Sequence, residues 1–259
     1  MLMEILQVGL ILATGVAAGF MNTLGGGGSL LTLPMLIFLG SPAAVANGTN
    51  RIALMVQNIV AVSNFRRKGF FYPKLGITLA IPAVLGSFLG AKLAISIPEE
   101  LFQKILAAIM ILVLVLILTR PEKKFLKEIK GENLSPTRLI ISLFVFFGIG
   151  VYGGFIQAGV GFIIISALAL ITGMSLVKIN SLKLFIVLIY IFSSFVVFIA
   201  HGKVDWILGF TLAIGNALGA YLGTNFAVSK GDKWIRVFIV IAILSMSAKL
   251  LGLFNFLGL

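Results

Sequence analysis

The sequence predicts an all-α integral membrane protein of two inverted repeats, five segments each, with a glycine-broken short helical hairpin opening each repeat. Three observations lead there. The 259 residues are 60% hydrophobic and 11% charged, with a mean hydropathy of +1.16, more apolar surface than a soluble chain can bury. The apolar residues form runs separated by short basic loops, too many and too long for one signal peptide, with no soluble domain left over. The second half of the chain also repeats the first.

The runs read, in order, as residues 4–24, 26–40, 43–64, 73–97, 101–119, 137–157, 160–173, 175–200, 204–228 and 233–257. A full crossing of a ~30 Å hydrocarbon core needs about 20 residues at a rise of 1.5 Å each. The third to fifth and eighth to tenth segments meet that length. The second and seventh are too short to cross upright, and each joins its predecessor through glycines, GGGGS at 25–29 and QAGVG at 157–161. Each such pair reads as a broken or re-entrant hairpin, with full crossings as the other possibility.

Repetition is strongest in the fourth segment. LGITLAIPAVLGSFLG (75–90) and LGFTLAIGNALGAYLG (208–223) agree at ten of sixteen positions at an offset of 133, which also pairs Asn47 with Asn180 and Gly69 with Gly202. In the hairpin the offset changes by two, pairing Gly19-Phe20 with Gly154-Phe155 and Asn22 with Gln157. The chain therefore divides into a first transmembrane repeat (1–119), a basic linker on the cytoplasmic side (120–136) and a second transmembrane repeat (137–259). Five segments per repeat is an odd number, so the halves lie in opposite orientations. Lys and Arg gather in RRKGFFYPK, in the linker, in TGMSLVK and in SKGDKWIR, while the alternate loops SP, IPEE and HGKVD are poor in them. The positive-inside rule then puts both termini outside a bacterial or archaeal cytoplasmic membrane.

Ionisable residues narrow the function. All eight acidic residues lie in loops or at segment ends, the one histidine, His201, lies in an outer loop, and cysteine is absent. No metal cluster, cofactor site or catalytic dyad can be assembled at membrane depth, so an enzyme is not expected. The net charge of +12 follows from topology and does not call for nucleic acid. Arg51 and Lys183 are different: each lies about eight residues into its segment, roughly 12 Å deep at 1.5 Å per residue. They reach the midplane from opposite sides, and a cation there costs several kcal/mol unless compensated. One reading makes them anion ligands; the other lets them bond carbonyls freed by the broken hairpins. Lys92 and Lys249 lie nearer the surface, at snorkelling depth. A helix starting at glycine exposes N–H groups to a ligand, and irregular backbone is tolerated where it lines a cavity. Gly86/Gly90 and Gly219/Gly223 are GxxxG pairs suited to helix packing.

GFMNTLGGGGSLLTLPMLIFLGSPAAVANGTN, followed by a basic loop and a small-residue helix, resembles the first half of the TauE/SafE family of sulfite-exporter-like membrane proteins. GGFIQAGVGFIIISALALITGMSLVKINSLK and HGKVDWILGFTLAIGNALGAYLG resemble its second half. The resemblance implies export of small sulfur-containing or organosulfonate anions. Its motif positions fall here on Asn22, Gly25, Gly26, Gly27, Gly28, Asn47, Thr49 and Asn50, then on Gln157, Gly159, Gly161, Asn180 and Lys183. Arg51 stands where many relatives carry an apolar residue. The expected function is a secondary transporter with its anion at the midplane between the hairpin tips, needing only the substrate and the lipid bilayer as partners. The rivals are a cation-coupled carrier of small organic acids and a non-transporting membrane scaffold. The sequence sets neither the anion nor the oligomeric state.

Overall fold

The structure, a computed structural model, describes residues 2–119 and 136–250, and among these the regular structure is helical throughout. In chain order the helices are α1 (Leu2–Leu24), α2 (Ser29–Phe38), α3 (Ala43–Arg67), α4 (Pro73–Ser96), α5 (Glu99–Thr119), α6 (Pro136–Phe155), α7 (Val160–Thr172), α8 (Leu176–Ala200) and α9 (Trp206–Leu250). Helix α9 is two arms meeting at Gly231, whose φ of 69° and ψ of −171° break the spiral, so the ninth and tenth predicted segments divide there. Residues 120–135 of the predicted linker and 251–257 of the tenth segment lie outside the described residues.

Among the described residues, five helical stretches are long and apolar enough to cross a membrane: Leu6–Leu24, Pro73–Ser96, Pro136–Phe155, Leu176–Ala200 and Trp206–Gly231. Helices α2 and α7, at 10 and 13 residues, are short as the sequence predicts. Helix α3 has the length, at 25 residues, but not the composition. Its Asn47, Asn50, Arg51, Gln57 and Asn58 are each 1% exposed or less, so the helix runs through the middle of the bundle and not along lipid. A central helix carries polar groups because its neighbours, not hydrocarbon, receive them.

The duplicated fourth-segment motif is a packing surface. A Cβ on Gly86 or Gly90 of α4 would come within 2.2 and 2.0 Å of the carbonyl oxygens of Phe147 and Val151 in α6. On Gly215 or Gly219 of α9 it would come within 2.4 and 2.1 Å of those of Leu12 and Val16 in α1. Without side chains the backbones touch, and dispersion over that contact holds helices together where no hydrophobic force distinguishes them from lipid. The contacts advance together along both chains, so α4 runs parallel to α6 and α9 parallel to α1.

The same two helices extend the pattern inward. Gly76 of α4 seats Phe185 of α8, and at the equivalent place Gly209 of α9 seats Ile52 of α3. Two bundles result, α1–α3–α9 and α4–α6–α8, so the fourth helix of each half packs with the other half. They meet where α3 crosses α8: Gly48 lies against Phe198, and Arg51 one turn on reaches Ser194 one turn earlier, so α3 and α8 run antiparallel.

The two hairpin joints share one backbone design. The N–H groups of Gly25 and Gly26 donate to the Met21 carbonyl at 2.8 and 3.1 Å; those of Ile156 and Gln157 donate to the Tyr152 carbonyl at 3.0 and 3.4 Å. Gly26 and Gln157 both turn left-handed, at φ 99° and 64°. Gln157 thus occupies the place of Gly26, at an offset of 131, and not that of Asn22 as the sequence match suggests. The Gly-Phe match fails by one turn for a physical reason. Gly19 and Gly154 serve helix packing, against Asn216 and Ser87, and small residues on a packing face recur every four positions. The turn is set by where the backbone bonds of the helix run out.

Candidate functional site

The two joints meet backbone to backbone. A Cβ on Gly26 would lie 2.2 Å from the Cα of Gly161, and one on Gly161 would lie 2.3 Å from the Cα of Gly26. Only hydrogen fits on either side of that crossing. Beside it is a cavity whose polar lining is Asn22, Ser29, Gln57, Asn58, Gln157 and Lys183. Leu54, Leu184 and Val187 supply an apolar wall. Space for water centres amounts to about 20 Å³, room for one water where a water needs about 10–15 Å³. The cavity is smaller than a four-atom oxyanion.

Behind the cavity, each half closes the helix end of the other. Helix α6 ends at Phe155, and its last carbonyls have no helical partners. Asn47 Nδ2 donates to the Phe155 carbonyl at 2.7 Å, while Arg51 donates to Gly154 at 2.6 Å and to Gly153 at 3.4 Å. Helix α1 ends at Leu24, and Asn180 Nδ2 donates to its carbonyl at 3.0 Å. Lys183 Nζ donates to the Asn22 carbonyl at 2.8 Å and to Thr23 at 3.4 Å. Both cations sit at the negative ends of helix dipoles, which offsets the cost of burying them. Arg51 also donates to Ser194 Oγ at 2.6 Å and Gln157 Oε1 at 3.1 Å, with its guanidinium 4.6 Å from the Phe198 ring centroid.

A sequence model of the family described as "Sulfite exporter TauE/SafE" matches residues 11–250 of this chain. The chain belongs to the TauE/SafE family. It is 32% identical over 250 residues to a "Probable membrane transporter protein" of Haemophilus influenzae, covering 95% of this chain and 96% of the relative. Identity to the "Probable membrane transporter protein YfcA" of Escherichia coli K12 is 31% over 250 residues, covering 95% and 90%. A "Probable membrane transporter protein ORF9" from Sinorhizobium sp is 26% identical over 235 residues, covering 91% and 88%. No solved structure matches the chain. The similarity spans both hairpins, the cavity and the packing helices, so the protein is a multi-pass membrane protein of a transporter family as a whole.

Of the residues singled out from the sequence, this TauE/SafE fold brings Asn22, Gly26, Gln157, Gly161 and Lys183 to the cavity. The others stand one layer back. Gly25, Gly27 and Gly28 form the turn; a Cβ on Gly27 would meet the Phe162 ring, and the Gly28 N–H donates to Asn22 Oδ1 at 3.3 Å. Gly159, at φ 72°, starts α7. Asn50 accepts from Thr32 and donates to Ser29, tying α3 to α2, and Thr49 accepts the N–H of Asp205 at the start of α9. Asn47, Asn180 and Arg51 hold helix ends. Several hairpin N–H groups are also engaged within their own turns: Leu30 on Gly27, Val160 on Gln157 and Phe162 on Gly159. Among the described residues no group of three or more His, Cys, Asp or Glu could hold a metal.

Gln57 and Asn58 are cavity residues that reasoning from ionisable groups passes over. The signal is present in the sequence, as two adjacent amides in MVQNIV inside an otherwise apolar run. Their chemistry, with that of Gln157, is set by what holds them. Gln57 Oε1 accepts from Asn22 Nδ2 at 3.2 Å and from Asn216 Nδ2 at 3.3 Å. Gln157 Oε1 accepts from Arg51. With two donors on its oxygen, Gln57 has only its NH₂ group left to offer, while Gln157 Oε1, held by Arg51 alone, keeps one lone pair beside its NH₂. Gln157 is also the one non-glycine residue with positive φ among the described residues, a conformation costing about 1–2 kcal/mol.

Proposed function

We propose that this TauE/SafE protein is a secondary transporter that exports small sulfur-containing oxyanions, such as sulfite or organosulfonates, across the cytoplasmic membrane. The observation that carries the reading is the cavity lining: the amide of Gln57 held with its NH₂ available, that of Gln157 held by Arg51, an ammonium group, and no carboxylate. Such a lining attracts oxygen acceptors and penalises cations. An inside-negative potential favours exit of each negative charge by about 2.3 kcal/mol per 100 mV, so export needs no coupling ion.

Alternating access follows from an inverted repeat. Support comes from the antiparallel crossing of α3 and α8 and from the two bundles, each with helices running parallel. The moving bodies are then α1–α3–α9 and α4–α6–α8, hinged where Gly26 crosses Gly161. Opening that crossing from one side or the other enlarges a cavity that now has room for about one water.

Flux of sulfite and of organosulfonates from proteoliposomes tests the function. Wild-type protein should pass at least one of them faster under an imposed potential that expels anions, and Lys183→Met should not. A dependence on a sodium or proton gradient would overturn uncoupled export. Orientation is tested on the cysteine-free chain with single cysteines replacing Ser41 and Gly131. An impermeant reagent should label the first from outside and the second only from inside; the reverse would overturn the placement of both termini outside.

A further inference from the structure

Asn58 is the one cavity residue whose side chain has no protein partner at all. It is 1% exposed, it lines the cavity beside the Gly26–Gly161 crossing, and neither its Nδ2 nor its Oδ1 makes a hydrogen bond. A buried amide with both ends unmet is destabilising, since it gives up its bonds to water and gains none. The neighbouring amides show what satisfaction looks like: Gln57 is held by two donors, Asn22 by the Gly28 N–H and Gln57, and Gln157 by Arg51. A leucine or valine, such as those of the adjoining wall, would fill the position without that cost. The polar group is therefore kept for something outside the chain.

We propose that Asn58 is a substrate-contacting, specificity-determining residue, and that its ligand is an oxyanion that also carries a hydrogen-bond donor, such as a hydroxyl. This rests on the transport reading above and deepens it. The locked glutamine NH₂ groups and Lys183 supply donors and charge to the anionic oxygens. The other lining amide oxygens already accept at least one donor, whereas Asn58 Oδ1 accepts none. Asn58 offers an acceptor and a donor side by side, so Oδ1 takes the ligand's hydroxyl while Nδ2 meets one of its oxygens. A ligand without the hydroxyl leaves Oδ1 buried and unpaired, and sites built to bond a hydroxyl discriminate strongly against its absence.

The experiment uses full-length protein in detergent, with 2-hydroxyethanesulfonate and ethanesulfonate as probes of nearly equal size and equal charge, and Asn58→Leu as the variant. Wild-type Tm should rise more with the hydroxylated probe, because stabilisation follows ln(1 + [L]/Kd). Without ligand, Asn58→Leu should melt at or above the wild-type temperature, since it removes two unmet polar groups. It should lose the preference, responding equally weakly to both probes. A clear fall in the Tm of ligand-free Asn58→Leu would overturn the inference by giving Asn58 a structural role, for example through a bound water. Equal response of wild type and variant to each probe would overturn it alone. Failure of every probe, sulfite included, to stabilise wild type would take down the transport reading and this inference together.

Discussion

The end of α6 and the end of α1 present the same problem and receive unequal answers. Each is a helix stopping inside the protein with its last carbonyls lacking helical partners, and each is closed by an asparagine and a cation from α3 or α8. At α6 the cation is Arg51, whose planar fork bonds two carbonyls, a serine, an asparagine and a glutamine and is not part of the cavity lining. At α1 it is Lys183, a single ammonium that bonds the Asn22 and Thr23 carbonyls and the Asn180 side chain and still lines the cavity. The difference separates two roles that the sequence leaves joined. One cation is a structural clamp that also holds Gln157, and the other keeps its charge beside the cavity. Guanidinium suits the first because it satisfies several acceptors at fixed angles; ammonium suits the second as a compact charge.

The largest effect should come from the point both halves share. Gly26→Ala must fit a methyl where the Gly161 Cα already stands, at a φ of 99° that alanine resists. The left-handed conformation alone costs about 1–2 kcal/mol, and overpacking adds about 1–3 kcal/mol. Gly161→Ala meets the same contact without the positive φ. The expected order is loss of monodisperse protein for Gly26→Ala and a smaller fall in Tm for Gly161→Ala, read by size exclusion and thermal melting. Equal, mild effects would mean the joints are not in contact.

Next, Arg51→Met should destabilise more than Lys183→Met. The first leaves the Gly153 and Gly154 carbonyls and the Gln157 oxygen unmet, at about 1–3 kcal/mol for each buried group; the second chiefly strands the Asn22 carbonyl. Flux should sort them in the other sense. Lys183→Met loses anion transport at a temperature where it remains folded, whereas Arg51→Met, tested well below its own Tm, retains part of it. A matching loss of flux at equal stability would erase the distinction between clamp and counter-charge. Below these, Asn47→Leu and Asn180→Leu should each cost about 1–3 kcal/mol, because each leaves a helix-end carbonyl unmet and takes an acceptor from the neighbouring cation. Near-equal falls in Tm are expected because the two bonds, at 2.7 and 3.0 Å, play the same part at the two helix ends.

Much of this architecture is legible in the amino-acid sequence. The short second and seventh segments, the glycine joints and the packing role of Gly86, Gly90 and Gly219 follow from run lengths and small-residue spacing, because those patterns obey local geometry. Arg51 and Lys183 announce themselves as buried cations, but the sequence leaves two fates open. Deciding between them takes the carbonyls of α6 and α1, each more than a hundred residues along the chain from the cation that bonds them. The hairpin register is misread by a turn because packing glycines repeat with the helix period. Gln57 and Asn58 are visible as an amide pair yet unremarkable by charge; only the bonds around them show that one is held and the other is not. The exchange of fourth helices between halves is a long-range choice that no local pattern records.

The smallest effect marks the boundary of the comparison. Lys92 of α4 is a third cation on a membrane helix, at the depth from which a long side chain snorkels to the surface, and it is exposed. Its ammonium lies 4.6 Å from the Phe88 ring centroid, a contact worth about 0.5–1 kcal/mol at an exposed site. No helix end depends on it: among its described bonds is only the Ser96 hydroxyl donating to its own main-chain carbonyl. Lys92→Gln keeps the aliphatic stem against the ring and removes the charge, so Tm should fall by no more than a degree or two and sulfonate flux should match wild type. If instead it fell as far as Lys183→Met, depth in the membrane would be governing all three cations. The carbonyls that Arg51 and Lys183 reach would then not be what sets those two apart.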